Sequence, residues 1–394
     1  MSSKYLTPLT TSYINKFYSL YGFTEDIDKE KFLPIQLSNI DISVGSALRR
    51  IFMSEIANAA FADANIKILA NTSQYHREVL IQRMGYITID SNNLDLSTES
   101  LNDLIFLICD PNDPEQALKN NTNSILMVNI YKYLYIQRIS TQAVIPTSEL
   151  IPYDSKMLTL NPGEEIQIVM RASSGLGRQD PRWQSSITMY KYGTDFDEKD
   201  HLENNEELML YIGHEKKQPS KIILTIESIG KLKSNTVIKR GLQAFQSKLD
   251  GFKKQLQIHE KSDLISIQLN ENIQNLVKLK IINEDHTLGN VLETACFNKL
   301  KELISVTVKS NNKGVTTPEL EMELMLESLS AYRKPHPLDN YIEFSVRTPQ
   351  KYDLVFPKGE FDEVTNPSLR LILLAVEEVE RICETMLEEA KVLD

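Results

Sequence analysis

Leu279-Lys280-Ile281-Ile282-Asn283-Glu284-Asp285-His286-Thr287-Leu288-Gly289-Asn290-Val291-Leu292 decides how the rest of the sequence is read, because an earlier stretch nearly repeats it. Asn39-Ile40-Asp41-Ile42-Ser43-Val44-Gly45-Ser46-Ala47-Leu48 aligns with Asn283 to Leu292 without a gap, at a constant offset of 244 positions. Asn, Asp, Gly and the final Leu are identical, and Ser43 matches Thr287. The spacing is too wide for a solenoid repeat and indicates two related units on one chain.

Each copy has the same physical grammar. Alternation of Leu279 and Ile281 with polar neighbours predicts a strand running into a turn. Asp41 to Ser43 and Asp285 to Thr287 are helix-start residues, whose side-chain oxygens accept from backbone N–H groups that have no partner within the helix. Leu288, Val291, Leu292, Ala295 and Cys296 then follow helical spacing, as do Val44, Ala47, Leu48, Ile51 and Phe52. Both predict an amphipathic helix with one apolar stripe. A glycine inside the first turn costs about 1 kcal/mol of helix propensity against alanine, so its presence in both copies points to close backbone approach.

With 394 residues, 41% hydrophobic and 25% charged, the composition is that of a soluble globular protein of two or three domains. A net charge of −11 argues against direct nucleic-acid binding by the chain alone, since phosphate contacts need clustered Lys and Arg. Cys109, Cys296 and Cys383 form neither a disulfide framework nor a zinc spacing, which suits a reducing, intracellular setting. The first residues lack the apolar core of a signal peptide, and no apolar run approaches the roughly 20 residues of a membrane span.

Outward from the two motifs, the chain divides as follows. Residues 1–31 are an extension in which Tyr13, Phe17 and Tyr21 could share one helix face. Phe32 to Leu37 reads as a strand, with Pro34 suiting an edge or a strand start, and the first motif helix as residues 43–59. A half-buried strand follows at 65–70, then a helix from about Thr72 to Gly85 with Val79, Leu80 and Met84 inward. Residues 91–160, rich in Asn, Ser and Asp turn clusters, read as an inserted β-rich subdomain with strand-like pieces at 104–108 and 125–136. Strands are expected at 166–172, 221–227 and 341–346, and alternation also predicts strands at 304–308 and 320–326. Ile238, Leu242, Phe245, Leu249, Phe252 and Leu256 form a short heptad seam, and Leu369, Ile372, Leu373, Val376 and Val379 begin the stripe of a long last helix. Residues 259–270 read as the linker between the units and 271–394 as the second unit. Stripes longer than a few strands can cover have to be buried against each other.

Candidate chemistry is sparse. Gly175 and Gly177 do not make a phosphate loop, because the Lys-Ser/Thr pair and the following helix are missing; Trp183 reads instead as the anchor of a contact loop. Asp195 and Asp197 sit in an acidic run that reads as a solvated loop, and His76 and His336 lack the partners of a catalytic or metal site.

The stretch from Leu37 to Ile56, with Arg49 and Arg50 at its centre, resembles the signature of the alpha-like assembly subunits of multisubunit RNA polymerases, in particular the third subunit of the eukaryotic enzyme. The likeness continues through Asn71-Thr-Ser, Arg83-Met-Gly, Gly175-Leu-Gly to Trp183 and Glu227-Ser-Ile-Gly. Ile282 to Leu292 and Tyr332 to Leu338 are similar to the smaller partner, the eleventh subunit. The resemblance covers 32–90 with 161–258, then 276–394, and implies a fusion of the two halves of the heterodimer, as in some large DNA viruses.

It implies an α+β fold of two related dimerisation units, each a small antiparallel sheet with long helices, paired within the chain as a pseudo-dimer. The expected interface is Val44, Leu48, Ile51 and Phe52 with Leu242, Phe245 and Leu249 from the first unit. From the second it is Leu288, Val291, Leu292 and Ala295 with Leu369, Leu373 and Val376. The implied role is a non-catalytic platform for the two large catalytic subunits of a DNA-directed RNA polymerase, with DNA and RNA touched only through the complex and no membrane contact. Arg49 and Arg50 match a large-subunit contact. Gly175, Gly177, Arg178 and Trp183 match a loop near the second-largest and small zinc-bearing subunits. Many third-subunit relatives carry a cysteine cluster in the inserted subdomain, whereas this chain keeps only Cys109 there, so neither zinc nor any other cofactor is expected. The implied location is intracellular: cytoplasm or virion for a viral protein, or the nucleus. Two other readings stay open, a self-standing enzyme using Asp195, Asp197 or the histidines, and a free homodimer pairing units between chains.

Overall fold

The computed structural model describes residues 4–8, 32–192, 221–257, 262–269, 273–311, 318–359 and 361–393. Tyr13, Phe17, Tyr21, Asp195 and Asp197 lie outside the described residues.

The first sheet holds four antiparallel strands: β1 (Leu6–Pro8), β2 (Phe32–Ser38), β3 (Ser186–Tyr192) and β4 (Lys221–Ser228), in the order β1-β2-β4-β3. Its helices are α1 (Ile42–Ser54), which follows β2, and α3 (Ser234–Gln257), which follows β4. The second sheet is built from β5 (Ile265–Leu269), β6 (Leu276–Ile282), β7 (Leu329–Arg333) and β8 (Tyr341–Arg347), in the order β5-β6-β8-β7. Helix α4 (His286–Asn311) follows β6, and α6 (Pro367–Ala390) closes the chain after β8. The two sheets therefore share one plan. The strand leading into the motif helix lies second, beside the strand that precedes the last long helix.

The motif copies explain why each strand turns sharply into its helix. Asn39 and Asn283 both occupy the left-handed region, at φ 57° and 63°, which asparagine tolerates better than other non-glycine residues. Two residues on, Asp41 Oδ1 accepts from the Ser43 amide and Asp285 Oδ1 from the Thr287 amide, each at 2.8 Å. Then Gly45 and Gly289 let the first turn approach the sheet. A Cβ on Gly45 would lie 2.7 Å from Ile222 Cδ1, and one on Gly289 2.4 Å from Tyr332 Cδ2.

A second body hangs from the first sheet. Its core runs from Ala59 and Phe61 through Phe106, Ile136 and Leu158 to Met170 and Ala172. The expected inserted subdomain, residues 91–160, is thus too narrow. Strand Ile66–Asn71 pairs with Glu165–Met170, which also pairs with Leu104–Ile108, so these flanking strands and helix α2 (Arg77–Gly85) belong to the outer body. The neck is a two-stranded ribbon, Ala57–Ala60 against Ser173–Leu176.

Other expectations differ from the structure for identifiable reasons. The first motif helix stops at Ser54 rather than 59, because Ala57–Ala60 is recruited into the neck. Val79 faces solvent while Leu80 and Met84 are inward. Strand β2 is interior, not an edge, with Pro34 one residue beyond the stretch paired with β1. The piece 125–136 is interrupted by the short helix Ile130–Tyr133. Residues 304–308 continue α4, whose Leu300, Ile304 and Val308 face the core four residues apart, and 320–326 lie in helix α5 (Pro318–Glu327). Pro318 with Glu319 and Glu321 is a helix start that outweighs the alternation. Strand β5 lies inside the expected 259–270 linker, so the second sheet begins earlier than the sequence suggested.

The glycines make a ranked prediction. Gly289→Ala drives a methyl into the Tyr332 ring and is expected to destabilise by about 1–3 kcal/mol, despite alanine's better helix propensity. Gly45→Ala meets the mobile end of Ile222 and should cost less. Urea denaturation of both variants checks the order; equal or reversed costs would contradict the close-packing account.

Candidate functional site

The four long helices lie between the two sheets. Helix α1 packs on α4 and α3 on α6, while each also contacts its own sheet. Val44, Leu48, Ile51 and Phe52 of α1 and Leu242, Phe245 and Leu249 of α3 are buried in one continuous apolar cluster. Leu288, Val291 and Leu292 of α4 and Leu373 and Val376 of α6 belong to the same cluster, and Ala295 and Leu369 pack at its margin. The helical spacing that places these residues on one stripe of each helix is what allows four stripes to meet.

Charged residues tie the rim of this seam. Lys248 Nζ of α3 lies 2.7 Å from Glu55 Oε2 and 3.1 Å from Glu284 Oε2, so one ammonium joins the end of α1 to the turn before α4. Burial disfavours its charge, but the Glu284 and Glu55 carboxylates outweigh that and hold the Lys248 ammonium above its ordinary value. Lys253 of α3 meets Glu380 of α6 at 2.5 Å, with both side chains largely buried. Arg50 reaches Asp285 at 3.5 Å, a half-exposed pair of small energetic weight. At the far end, the Glu389 carboxylate accepts from the backbone amides of Lys4, Tyr5 and Leu6, at 3.1 Å for Tyr5 and 2.7 Å for Leu6. The last helix thereby fastens the first strand.

Beside the seam, the Gly175–Trp183 loop is stitched to the end of α1. The Arg178 amide donates to Ser54 O at 3.0 Å, and a Cβ on Gly177 would meet Met53 O at 2.9 Å. A Cβ on Gly175 would strike the Trp183 ring at 2.5 Å. Trp183 Nε1 donates to Ser173 O at 3.1 Å, so the indole is half-buried within its own loop as well as near the surface. Arg178 is exposed, lining a 310 Å³ cleft with Glu55, Lys248 and Glu284. Arg49 is half-buried with its Nε unpaired and no carboxylate partner among the described residues. Arg49, Arg50, Gly177 and Arg178 thus gather near the carboxyl end of α1.

The sequence reading missed three anchoring residues, Lys248, Glu389 and Arg182, and one charge buried at a cost, Lys231. Arg182 is buried, donating to Phe61 O at 2.8 Å and Asp63 Oδ1 at 2.6 Å, with Asp180 Oδ1 3.0 Å from its Nε. Burial pulls the neighbouring Lys231 ammonium down to about 8, with Asp180 opposing and Arg182 adding to the fall. Only Arg182 lies inside the Gly175–Trp183 motif; the other three give no local signal, because the groups around them are distant in sequence. All three thiols are buried, and burial pushes Cys109 up to about 11 and Cys383 to about 12 and raises Cys296 as well, which disfavours the nucleophilic thiolate. Among the described residues no group of His, Cys, Asp or Glu could hold a metal ion, and no helix is long and apolar enough to cross a membrane.

Residues 35–249, over half of the chain, match the family described as the RNA polymerase Rpb3/Rpb11 dimerisation domain. The chain is 25% identical over 167 residues to DNA-directed RNA polymerase II subunit rpb3 of Dictyostelium discoideum, covering 40% of this chain and 52% of the relative. It is 28% identical over 165 residues to DNA-directed RNA polymerase subunit Rpo3 of Methanosphaera stadtmanae, covering 40% and 55%. Against DNA-directed RNA polymerase II subunit RPB3 of Schizosaccharomyces pombe it is 23% identical over 261 residues, covering 59% and 86%. The chain spans about half the length of the first two of these relatives.

Two stability predictions test the charged anchors. Lys248→Met leaves two largely buried carboxylates facing each other and is expected to cost about 3–5 kcal/mol at pH 7 in urea denaturation, a loss that shrinks as pH falls and the carboxylates protonate. A loss below 1 kcal/mol would show that the cluster is not a structural tie. Lys231 behaves in the opposite sense. The unfolded chain binds its proton more tightly than the native one, so its penalty is complete below pH 8 and vanishes above pH 10.5. Lys231→Met is therefore expected to stabilise by about 2–3 kcal/mol at pH 7, a gain that fades in the alkaline range. No gain at pH 7 would contradict it.

Proposed function

The chain belongs to the RNA polymerase Rpb3/Rpb11 dimerisation domain family, and from that premise we propose that it is a non-catalytic assembly subunit of a DNA-directed RNA polymerase. In this reading the first half corresponds to the third-subunit-like partner and the second half to the eleventh-subunit-like partner, fused and paired as an intrachain pseudo-dimer. The observation that carries it is the single apolar cluster uniting α1, α3, α4 and α6 across two sheets of identical strand order. The repeated Asn-Asp-Gly turn and the bridging Lys248 support the same pairing.

The paired helices would serve as the platform for the two large catalytic subunits. Arg49 and Arg50 would meet a large subunit, a role suited to Arg49, whose guanidinium lacks an acidic partner among the described residues. The Gly175–Trp183 loop, held against the end of α1, would extend that surface toward the second-largest and small zinc-bearing subunits. Catalytic residues would lie in the large subunits, and this chain would touch nucleic acid only through them.

The expected outcome of replacing Arg49 and Arg50 with alanine is a chain that melts within about 1 kcal/mol of the parent, since the Arg50–Asp285 pair is half-exposed, but no longer co-purifies with the large subunits on co-expression. Unchanged assembly would remove these arginines from the contact. Separately, light scattering of the isolated chain should give the 45.1 kDa mass of a monomer; a stable dimer would replace intrachain pairing with pairing between chains.

A further inference from the structure

The outer body carries a cleft that the assembly reading leaves unused. It is a 680 Å³ trough, open to solvent, between helix α2 and residues 151–157. Its floor is apolar, backed by the buried side chains of Ile130, Ile151 and Met157. Its rim holds three large exposed side chains, Val79 at 39%, Tyr86 at 50% and Tyr153 at 40% exposure. Such side chains clustered around a concavity mark a contact surface.

The charge of the cleft runs against that of the protein. The chain carries 54 acidic and 43 basic residues, yet no carboxylate lines this trough, whereas Arg83 and Lys156 do. Lys156 is exposed and has no acidic partner among the described residues. Arg83 spends one nitrogen on Met157 O at 3.1 Å and lies over the Tyr75 ring at 5.0 Å, and it too has no carboxylate partner among them. Behind the rim, the buried Arg182 guanidinium sits 5.9 Å from the Tyr86 ring, but Asp63 and Asp180 neutralise it, so the positive charge of the trough is that of Arg83 and Lys156. Asp154, next to Tyr153, does not line the trough, and its Oδ1 accepts from the Tyr131 amide at 3.0 Å.

We propose that this cleft docks an acidic peptide segment of a partner protein, with one aromatic or aliphatic side chain seated on the apolar floor between the cations. A small molecule is usually held in an enclosed pocket that removes most of its surface from water. An open trough with aromatic rims and flanking cations fits an extended segment, whose carboxylates gain long-range attraction while its apolar residue supplies the buried anchor.

The test is selection of a displayed library of random peptides, about a dozen residues long, on the immobilised full chain, followed by affinity measurement of the winners. Enriched peptides are expected to be net acidic with an aromatic or aliphatic residue. Their affinity is expected to fall about tenfold with Lys156→Glu and with Val79→Asp, and to weaken with added salt. Both substituted side chains are exposed, so unchanged melting curves will show that the variants fold. Failure to enrich acidic sequences over the starting library overturns the proposal, as does binding that neither variant alters. Displacement by inorganic phosphate as readily as by the unlabelled peptide would also overturn it, showing a bare anion site. Self-association lost on Lys156→Glu would assign the cleft to a second copy of the chain instead.

Discussion

Four amphipathic helices, α1, α3, α4 and α6, each carry an apolar stripe that a four-stranded sheet cannot cover alone, and the architecture follows from burying those stripes against each other. Each sheet takes one side of its own helices, and the opposite side is closed by helices from the other half. The requirement acts back on the sequence at the two motif turns. At the starts of α1 and α4 the chain lies so close to residues of the sheet that one first-turn position has no room for a Cβ, and Gly45 and Gly289 fill it. The outer body, with its separate core, escapes this constraint; it joins the rest through the Ala57–Ala60 and Ser173–Leu176 ribbon and through polar contacts such as Arg240 with the Ser91 and Asn92 carbonyls.

Apolar stripes are permissive about register, and charged contacts narrow the choice. Lys248 can satisfy Glu55 and Glu284 together in one relative placement of α1, α3 and the turn before α4. Lys253 with Glu380 fixes α3 against α6 in the same way. Burying such groups is costly, so their value lies in disfavouring misplaced arrangements that would leave a charge unpaired. Glu389 adds a topological tie, since capturing the amides of Lys4, Tyr5 and Leu6 joins the two ends of the described chain across both halves.

Much of this was legible because it rests on short-range pattern. The helix starts at Asp41 and Asp285, the stripes on the four long helices, and the strands read at 104–108, 221–227 and 341–346, each within one residue of its observed end, follow from residue spacing alone. The misreadings have two causes. Alternation at 320–326 and a short apolar run at 304–308 mimic strands, but Pro318 with its acidic first turn and the continued four-residue spacing from Leu300 favour helix. The end of α1 could not be read locally, since nothing in Glu55 to Ala60 announces that Ser173–Leu176 will claim its backbone.

The sequence by itself determined the repeated turn-and-helix unit, the amphipathic faces and the acidic surface, because these depend on neighbours within one or two turns of chain. Only the tertiary structure decided where the outer body begins, which strand edges pair, that Lys248, Arg182 and Glu389 are anchors rather than solvated charges, and that Lys231 is buried at a cost. The physical reason is distance along the chain. Apart from Asp180 beside Arg182, the partners of those groups lie tens to hundreds of residues away, so their burial and pairing leave little trace in the local pattern.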